Sequence, residues 1–174
     1  KEGLIIDDRA NGGGNVSPMI LERLSREPYR LTMRRGSARI GTVPDAVQVG
    51  PKVCLINKYS ASDGDLFPWG FRALGLGKLI GTRTWGGIVG ISGSLPYMDG
   101  TDIRVPFFTS FDPKTGSWII ENHGVDPDIL IDNDPVKEWN GEDQQLDRAI
   151  QEVMKELQDR KPLPGVPTPR DFSK

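Results

Sequence analysis

Short apolar runs alternate with polar and glycine-rich segments along the first half of the chain. Leu4–Ile6, Val53–Ile56 and residues 78–81 are mainly apolar, and each is followed by a turn-forming segment. Apolar runs without alternation are typical of strands buried on both faces of a sheet. Residues 29–34 predict a further short strand, whereas residues 36–51 indicate a series of turns.

Three segments carry helical patterns. Ser17 suits an N-cap and the following proline suits the first helical turn, with apolar residues at 20, 21 and 24 on one face. A second helix is predicted from about Leu66 to Leu74, and a third begins after the capping residue Asp143. The predicted apolar face of the third helix comprises Leu146, Ile150, Met154 and Leu157.

The region from Gly86 to Ile131 has no helical period. Its apolar and aromatic residues come in short bursts between Gly, Pro and Asp, which predicts short strands and hairpins, with a hairpin turn at residues 112–118. Strands mixed with strand–turn–helix units predict an α/β domain. We assign residues 1–160 to this domain and residues 161–174 to a proline-rich tail.

Composition and charge exclude several function classes. The chain has 22 Lys plus Arg and 24 Asp plus Glu, a net charge of -2, and no basic run, so a nucleic-acid partner is not expected. No apolar stretch approaches the roughly 20 residues of a membrane span, so no membrane association is expected. Because the chain opens almost directly on a strand-like run, we expect it to be a piece of a longer protein.

Single cysteine and histidine residues limit the chemistry further. One cysteine, Cys54, excludes an internal disulfide and a cysteine-rich metal site, and its apolar neighbours indicate a buried side chain. One histidine, His123, excludes a histidine-pair metal site within the chain. Neither a metal nor a cofactor is predicted.

The segment SASDGD, residues 60–65, lies where an apolar run gives way to a helix. Serine and aspartate are common helix caps, and their spacing alone favours capping. A serine at a sharp strand-to-helix turn also exposes its hydroxyl, and helix N–H groups beside it can hold an oxyanion. Ala61 and Asp63 flank Ser62, so the G-x-S-x-G nucleophile elbow is not matched.

Three consecutive glycines, Gly12 to Gly14, follow the first strand. Glycine lets a backbone approach closely, so this segment could supply a second oxyanion donor. By itself it is a weak signal, and the alternative is a flexible turn. The spacing does not fit G-x-G-x-x-G, and a dinucleotide site is therefore not predicted.

Four segments resemble the tricorn-type proteases of the C-terminal processing peptidase family of serine proteases. They are LIIDDRANGGG (4–14), SASDGD (60–65), LGLGKLIGTRTWGG (74–87) and WIIENHGVDPD (118–128). They occur in the family's order, and the likeness extends from about Gly3 to Ile131. The resemblance implies a catalytic C-terminal subdomain, with stacked strand-strand-helix units similar to those of crotonases and Clp proteases.

The resemblance also implies site residues. The nucleophile falls on Ser62, and the N–H group of Asp63 would be one oxyanion donor. The second donor falls on Gly13, with Gly14 as the alternative. The carboxylate that orients the base machinery falls on Glu121, which without the resemblance is better interpreted as a solvated carboxylate at a strand end.

The resemblance also implies that the catalytic base lies outside this chain. It is a histidine preceded by a serine in a subdomain N-terminal to this one, so His123 is expected to be structural or exposed. Trp85 is expected to pack near the site, and Asp65 to cap the helix after Ser62. The motif residues expected to form ion pairs or fix loops are Asp7, Asp8, Arg9 and Asp126.

The resulting hypothesis is a fragment of a cytoplasmic serine endopeptidase that cuts short peptides through an acyl-enzyme. Its expected partners are peptide substrates, the missing N-terminal parts and further copies in a homo-oligomer. The alternative is a non-catalytic binding or scaffolding module, because the base is not encoded here. An acyl-CoA enzyme on the same fold is disfavoured, since it has no need of a serine between small residues.

The serine hypothesis makes three geometric demands. The Ser62 hydroxyl should face the glycine segment from a strand-to-helix turn. The Cα atoms of Ser62 and Glu121 should lie within about 15 Å, the reach of two side chains and one imidazole joined by hydrogen bonds near 3 Å. An apolar surface should be exposed where the upstream subdomain would pack.

Overall fold

A computed structural model describes residues 1–168, with the backbone alone described for residues 92–95. The last six residues of the predicted tail therefore lie outside the described part. In chain order the elements are β1 (Leu4–Asp7), α1 (Ser17–Leu24), β2 (Arg30–Met33), β3 (Ile40–Val43), β4 (Lys52–Ile56), α2 (Asp63–Ala73), β5 (Lys78–Gly81), β6 (Gly90–Pro96), β7 (Asp102–Phe108), β8 (Ile129–Leu130), α3 (Pro135–Trp139) and α4 (Gln144–Asp159).

A four-stranded parallel sheet in the order β1-β4-β5-β8 forms the centre of the molecule. Successive side chains of a strand point to opposite faces, so each face collects its own apolar layer. Cys54 and Leu79 pack with Phe71 of α2 on one face. Val53 and Ile80 pack with residues of α4 on the other face. Both faces are covered, which explains the continuous apolar runs and confirms the predicted α/β class.

The predicted apolar face of the last helix is wrong in part. Ile150 and Met154 are exposed, whereas Ala149 and Val153 are buried against the sheet. The predicted members Leu146 and Leu157 do pack on this cluster. The stripe that packs on the sheet, at positions 146, 149, 153 and 157, has spacings of 3, 4 and 4 residues. These spacings fit one face of a helix as well as the predicted positions do, and contact with the sheet decides which face is buried.

Two further boundaries differ from the sequence expectation. The second helix begins at Asp63 rather than near Leu66, because the polar residues after Ser62 are already helical. Residues 36–51 are not only turns, since Ile40–Val43 forms β3 and pairs antiparallel with β2. Asp143 caps α4 as predicted, its side chain accepting a hydrogen bond from the Leu146 N–H.

Strands β6 and β7 form an antiparallel hairpin that we call the arm, residues 90–108. Every residue of β7 is exposed, including Ile103, Phe107 and Phe108. Beyond the arm, Phe111 and Trp118 form an isolated bridge around the predicted hairpin turn. The region predicted to hold short strands therefore does so, but it has little buried core among the described side chains.

Candidate active site

The turn between β4 and α2 holds Ser62 in an uncommon backbone conformation. Its φ is 57° and its ψ is -114°, a region that side-chain-bearing residues seldom occupy. The residue is the N-cap of α2, and the Asp65 carboxylate accepts a hydrogen bond from its N–H at 2.9 Å. Ser62 thus lies on a strand-to-helix turn, as the sequence predicted. Backbone strain of this kind costs about 1–3 kcal/mol and is concentrated at functional sites.

The glycine segment packs directly against this turn. A Cβ atom placed on Gly13 would lie 2.9 Å from the Ser62 Cβ and 3.2 Å from its Oγ. Gly13 also has a φ of 122°, which favours glycine. Both the close approach and the backbone angle explain why glycine occupies this position. The Ser62 hydroxyl therefore lies beside the glycine segment, as the sequence predicted.

The backbone N–H groups around Ser62 differ in whether they already have a hydrogen-bond acceptor. Within residues 1–168 the N–H of Asp63 has no hydrogen-bond acceptor, which is expected for the first residue of a helix. The N–H of Gly13 donates to Asn11 Oδ1 at 3.1 Å. The N–H of Gly14 has no acceptor among the same residues. The N–H groups of Asp63 and Gly14 are thus available as donors. The hydrogen bond from the Gly13 N–H to Asn11 must break before that N–H can bind a ligand.

The Asp63 side chain has a structural role that the sequence did not reveal. Its Oδ2 accepts hydrogen bonds from the N–H groups of Val16 and Ser17, both at 3.1 Å. The Ser17 hydroxyl in turn donates to the Asp63 carbonyl at 3.2 Å. The Asp63 carboxylate, which belongs to α2, therefore accepts hydrogen bonds from the N-terminus of α1. No local sequence motif indicates this contact, because Asp63 is 47 residues from Val16 and 46 residues from Ser17 along the chain.

Asp65 joins the serine turn to a second loop. Its carboxylate is fully buried and accepts hydrogen bonds from the N–H groups of Gly86 at 2.7 Å and Gly87 at 3.1 Å, as well as from Ser62. Bonds from three backbone donors satisfy a buried carboxylate that would otherwise be costly. The predicted capping role is confirmed, and the same side chain also fixes the loop that leads to the arm.

Glu121 holds the next part of that loop. Its Oε2 accepts hydrogen bonds from the N–H groups of Ile88 at 2.7 Å and Val89 at 3.1 Å. Because Asp65 Oδ2 binds the N–H groups of both Ser62 and Gly87, those two nitrogens lie at most about 6 Å apart. Glu121 is thus tied to the serine turn through one short loop. The 15 Å limit on the Cα separation stays a prediction.

The first acidic motif divides into an exposed ion pair and a buried carboxyl. Arg9 forms two-pronged contacts with Asp7 and with Asp143, and these contacts lower the pKa of both carboxyls. Asp8 is only 6% exposed, and burial raises its pKa to about 7. Its Oδ1 accepts a hydrogen bond from Asn11 Nδ2 at 2.9 Å. The ion-pair expectation is confirmed for Asp7 and Arg9, but Asp8 has no cationic partner in the described chain.

The His123 side chain makes no hydrogen bond to Ser62 within residues 1–168. It is exposed, and its Nε2 is 2.7 Å from Asp126 Oδ2. Trp85 is also exposed, with its ring over Gly87 beside the loop that Asp65 holds. Within residues 1–168 no three His, Cys, Asp or Glu side chains are grouped so that they could hold a metal ion. None of the described helices is both long and apolar enough to cross a membrane.

Comparison with known proteins identifies the class to which this arrangement belongs. The family model for peptidase family S41 matches residues 1–131. The chain belongs to peptidase family S41. It is 44% identical over 161 residues to the tricorn protease of Thermoplasma volcanium, and 40% identical over 150 residues to tricorn protease homolog 1 of Streptomyces coelicolor. These matches cover 91% and 86% of this chain.

A solved structure agrees with the sequence relatives. The crystal structure of the tricorn protease superposes with a TM-score of 0.82 at 41% identity, covering 90% of this chain. This chain accounts for 15% of that protein, and for 15% and 14% of the two sequence relatives. The similarity to tricorn-type proteases inferred from four motifs is therefore confirmed.

Proposed function

We propose that this chain is the nucleophile-bearing part of a serine endopeptidase. The observation that carries the proposal is the strained φ of Ser62, held beside Gly13 and next in the chain to Asp63, whose N–H has no acceptor within residues 1–168. A cap needs no such backbone, because Ser, Thr and Asp cap helices from ordinary extended conformations. The strain, the close glycine contact and the free donor together match what an attacking hydroxyl requires.

The proposed reaction begins when Ser62 Oγ attacks a peptide carbonyl carbon while its proton passes to a base. That base would be a histidine from an upstream part of a longer protein. The carbonyl oxygen becomes an oxyanion, and the N–H of Asp63 would donate to it. The tetrahedral intermediate then collapses, the peptide amine leaves with the proton, and an acyl-enzyme remains. Water attacks the acyl group and restores the serine.

The second oxyanion donor would come from the glycine segment. Gly13 is the donor that the resemblance implies, and it requires the bond from its N–H to Asn11 to open. Gly14 is the alternative, and its N–H is already unoccupied within the described chain. The two assignments differ in whether a loop rearrangement must precede the chemistry. Either donor would be supported by the close packing of this segment on Ser62.

Glu121 would orient the base machinery supplied by the upstream part. In this structure its carboxylate already accepts two backbone hydrogen bonds, from Ile88 and Val89. One carboxylate oxygen makes both bonds, and Oε1 has no hydrogen-bond partner among the residues that the structure describes, so it is available for a further donor. Fixing one oxygen to the backbone would place the other at a defined position.

The remaining parts of the proposal concern assembly. The matched relatives are more than six times as long as the matched region, so we propose that other parts of a longer protein complete the site. The exposed apolar residues of the arm, and Met19 after the glycine segment, would be covered by those parts. We further propose a homo-oligomer in the cytoplasm acting on short peptides, and a fold that shares the stacked strand-strand-helix units of crotonases and Clp proteases.

A fluorophosphonate probe with peptide mapping tests the nucleophile. The probe should modify Ser62 slowly in the 174-residue chain, since an unassisted hydroxyl is a weak nucleophile. A longer protein that carries the upstream base should be modified much faster. Ser62→Ala should abolish modification in both forms, whereas the exposed control Ser117→Ala should leave the rate unchanged.

Two outcomes would contradict the proposal. Absence of Ser62 modification in the longer protein would remove the nucleophile assignment. Rapid modification of the 174-residue chain that disappears in His123→Ala would make His123 the base and the chain self-sufficient. The exposed pair of His123 with Asp126 leads us to expect no effect of His123→Ala.

The second candidate is a non-catalytic binding or scaffolding module. It is favoured by one observation, the bond from the Gly13 N–H to Asn11, because this bond blocks one candidate oxyanion donor. A binding module would retain peptide affinity after Ser62→Ala and show no modification of Ser62 in any form of the protein. The probe experiment therefore separates the two candidates.

A further inference from the structure

Asn11 connects the two sides of the candidate active site. Its backbone carbonyl accepts a hydrogen bond from the Ala61 N–H at 2.8 Å, next to the serine. Its side-chain Oδ1 accepts from the Gly13 N–H at 3.1 Å. A Cβ atom placed on Gly64 would overlap the same Asn11 carbonyl oxygen, so the helix start also presses on this residue. One residue therefore contacts both the glycine segment and the Ser62 turn.

The orientation of the Asn11 amide is decided by Asp8. A carboxamide has a donor end and an acceptor end, and only one orientation presents Oδ1 to a backbone N–H. In the structure Asn11 Nδ2 donates to Asp8 Oδ1 at 2.9 Å, which turns Oδ1 toward Gly13. The Asp8 backbone carbonyl accepts a further bond from the Ser60 hydroxyl at 2.8 Å. Asp8 is thus hydrogen-bonded to Ser60 in the serine turn, and within residues 1–168 it makes no hydrogen bond to Ser62.

The surroundings of Asp8 make its ionisation consequential. Its Oδ2 is buried and has no hydrogen-bond partner among residues 1–168. The guanidinium of Arg9 is engaged by Asp7 and Asp143 instead. The titratable groups that face Asp8 from β1, β4 and α2 are Asp7, Cys54, Asp63 and Asp65. All of these are acids, so a negative charge on Asp8 gains no compensation from them.

We propose that Asp8 is a positioning residue that fixes the glycine segment against Ser62 through the Asn11 amide, and that its protonation state is transmitted to the Gly13 N–H. The consequence for catalysis rests on the proposed function, whereas the structural link does not. When Asp8 is neutral, its proton lies on Oδ2 and Oδ1 accepts from Asn11. When Asp8 is ionised, its negative charge is linked to the Gly13 N–H through the Asn11 amide, which disfavours an oxyanion bound to that N–H.

Nuclear magnetic resonance on the 174-residue chain tests the link without any assay of activity. The carboxyl carbon of Asp8 should titrate near pH 7, because burial raises its pKa to about 7. The amide signals of Gly13 and Ala61 should shift with the same midpoint. The measurements are made in a His123→Asn background, which removes the single imidazole of the chain from the spectra.

Two variants separate the proposal from general structural effects. Asp8→Asn keeps an acceptor for Asn11 and cannot ionise, so it should abolish the titration of Gly13 and leave its signal near the acidic position of the parent. Asn11→Ala should leave the carboxyl of Asp8 titrating while the Gly13 signal no longer follows it. The second comparison holds even if Asp8→Asn fails to fold.

The proposal is overturned if the Gly13 signal still titrates near pH 7 in Asp8→Asn. It is also overturned if the carboxyl of Asp8 titrates while Gly13 does not respond in the parent chain. Neither outcome bears on whether Ser62 is a nucleophile, which the fluorophosphonate experiment decides separately. Loss of Ser62 modification with an intact Asp8 response would instead contradict the proposed function alone.

Discussion

Large apolar residues are buried around the central sheet but exposed on the arm. Phe71 of α2 is fully buried between the helix and the sheet, whereas Phe107 of β7 is 73% exposed. Both regions would be scored as apolar from sequence. Helices α2 and α4 cover the two faces of the sheet. The arm is a two-stranded hairpin, a unit that has only marginal stability by itself. Apolar sequence alone therefore does not distinguish a buried core from an exposed surface.

The two regions meet at one short loop. Asp65 fixes Gly86 and Gly87 from the sheet side, and Glu121 fixes Ile88 and Val89 just before the arm begins. The base of the arm is consequently bound by charged groups, although its body is exposed. This arrangement positions the arm relative to Ser62 without burying it.

The largest expected difference between the regions is in core truncation. Phe71→Ala should lower the free energy of unfolding by about 3–5 kcal/mol, because it leaves a cavity in a closed core. Phe107→Ala should change it by less than about 0.5 kcal/mol, as exposed substitutions usually do. Urea unfolding of both variants measures the contrast. Equal losses would show that the arm is packed in solution and would break the comparison.

A smaller effect is expected where the glycine segment meets the helix. Gly64→Ala should cost about 1–3 kcal/mol, since its methyl group would overlap the Asn11 carbonyl oxygen. Gly12→Ala is the matched control, because a Cβ there meets no heavy atom within 4 Å. Thermal or urea unfolding compares the two. A neutral Gly64→Ala would mean that the contact between Asn11 and the helix start relaxes freely.

The base of the arm should respond to a change of charge alone. Glu121→Gln keeps an acceptor oxygen but loses the charge, so the two bonds from Ile88 and Val89 should weaken by about 1 kcal/mol together. Hydrogen exchange at those two amides should become faster, with little change in the amides of β4. Glu142→Gln is the control, because that exposed carboxylate accepts no hydrogen bond in the described chain. Unchanged exchange would remove the anchoring role of Glu121.

The sequence predicted the parts of this site that depend on local chain geometry. The apolar run of β4 and the cap-forming residues after it placed Ser62 on a strand-to-helix turn, and the three glycines indicated a close backbone approach. These features follow from rules that act over a few residues. The positive φ of Ser62 was not predicted, because serine has no intrinsic preference for it and only the surrounding structure can impose it.

The contacts that the sequence did not predict join residues far apart in the chain. Asp63 serves the N-terminus of α1, and Asp8 is buried while its neighbour Asp7 is exposed and paired with Arg9. Two adjacent aspartates look alike in sequence, but the folded structure buries the Asp8 side chain and leaves that of Asp7 exposed. The buried face of α4 was predicted only in part, because more than one stripe of the helix is apolar and contact with the sheet decides which one is buried.

Relief of backbone strain should be detectable at Ser62 itself. Ser62→Gly should raise the free energy of unfolding by about 0.5–1 kcal/mol, because glycine removes strain worth about 1–3 kcal/mol but loses more entropy on folding. Ser62→Ala keeps the Cβ atom and should give no such gain. Both variants lack the serine hydroxyl, so their difference in stability reports only on the backbone. A Ser62→Gly variant less stable than Ser62→Ala would show that the turn stores no strain.

The smallest expected effect is acid weakening at the edge of the sheet. The guanidinium of Arg9 holds the pKa of Asp143 at about 2, below its ordinary value near 3.8. A carboxyl with a lowered pKa in the folded state adds stability at neutral pH that is lost as the pH falls from about 4 to 2. The pair is partly exposed, so the loss should be about 1 kcal/mol or less. Urea midpoints measured at pH 4.5 and pH 2.5 should therefore fall less in Asp143→Asn than in the parent.

The turn of the arm provides the contrast, because hydrogen bonds from Thr101 lower the pKa of the fully exposed Asp99. Asp99→Asn should leave the acid-induced loss at its parent value, since unfolding of the sheet does not depend on the arm. An equal reduction in both variants would mean that sheet and arm unfold as one unit.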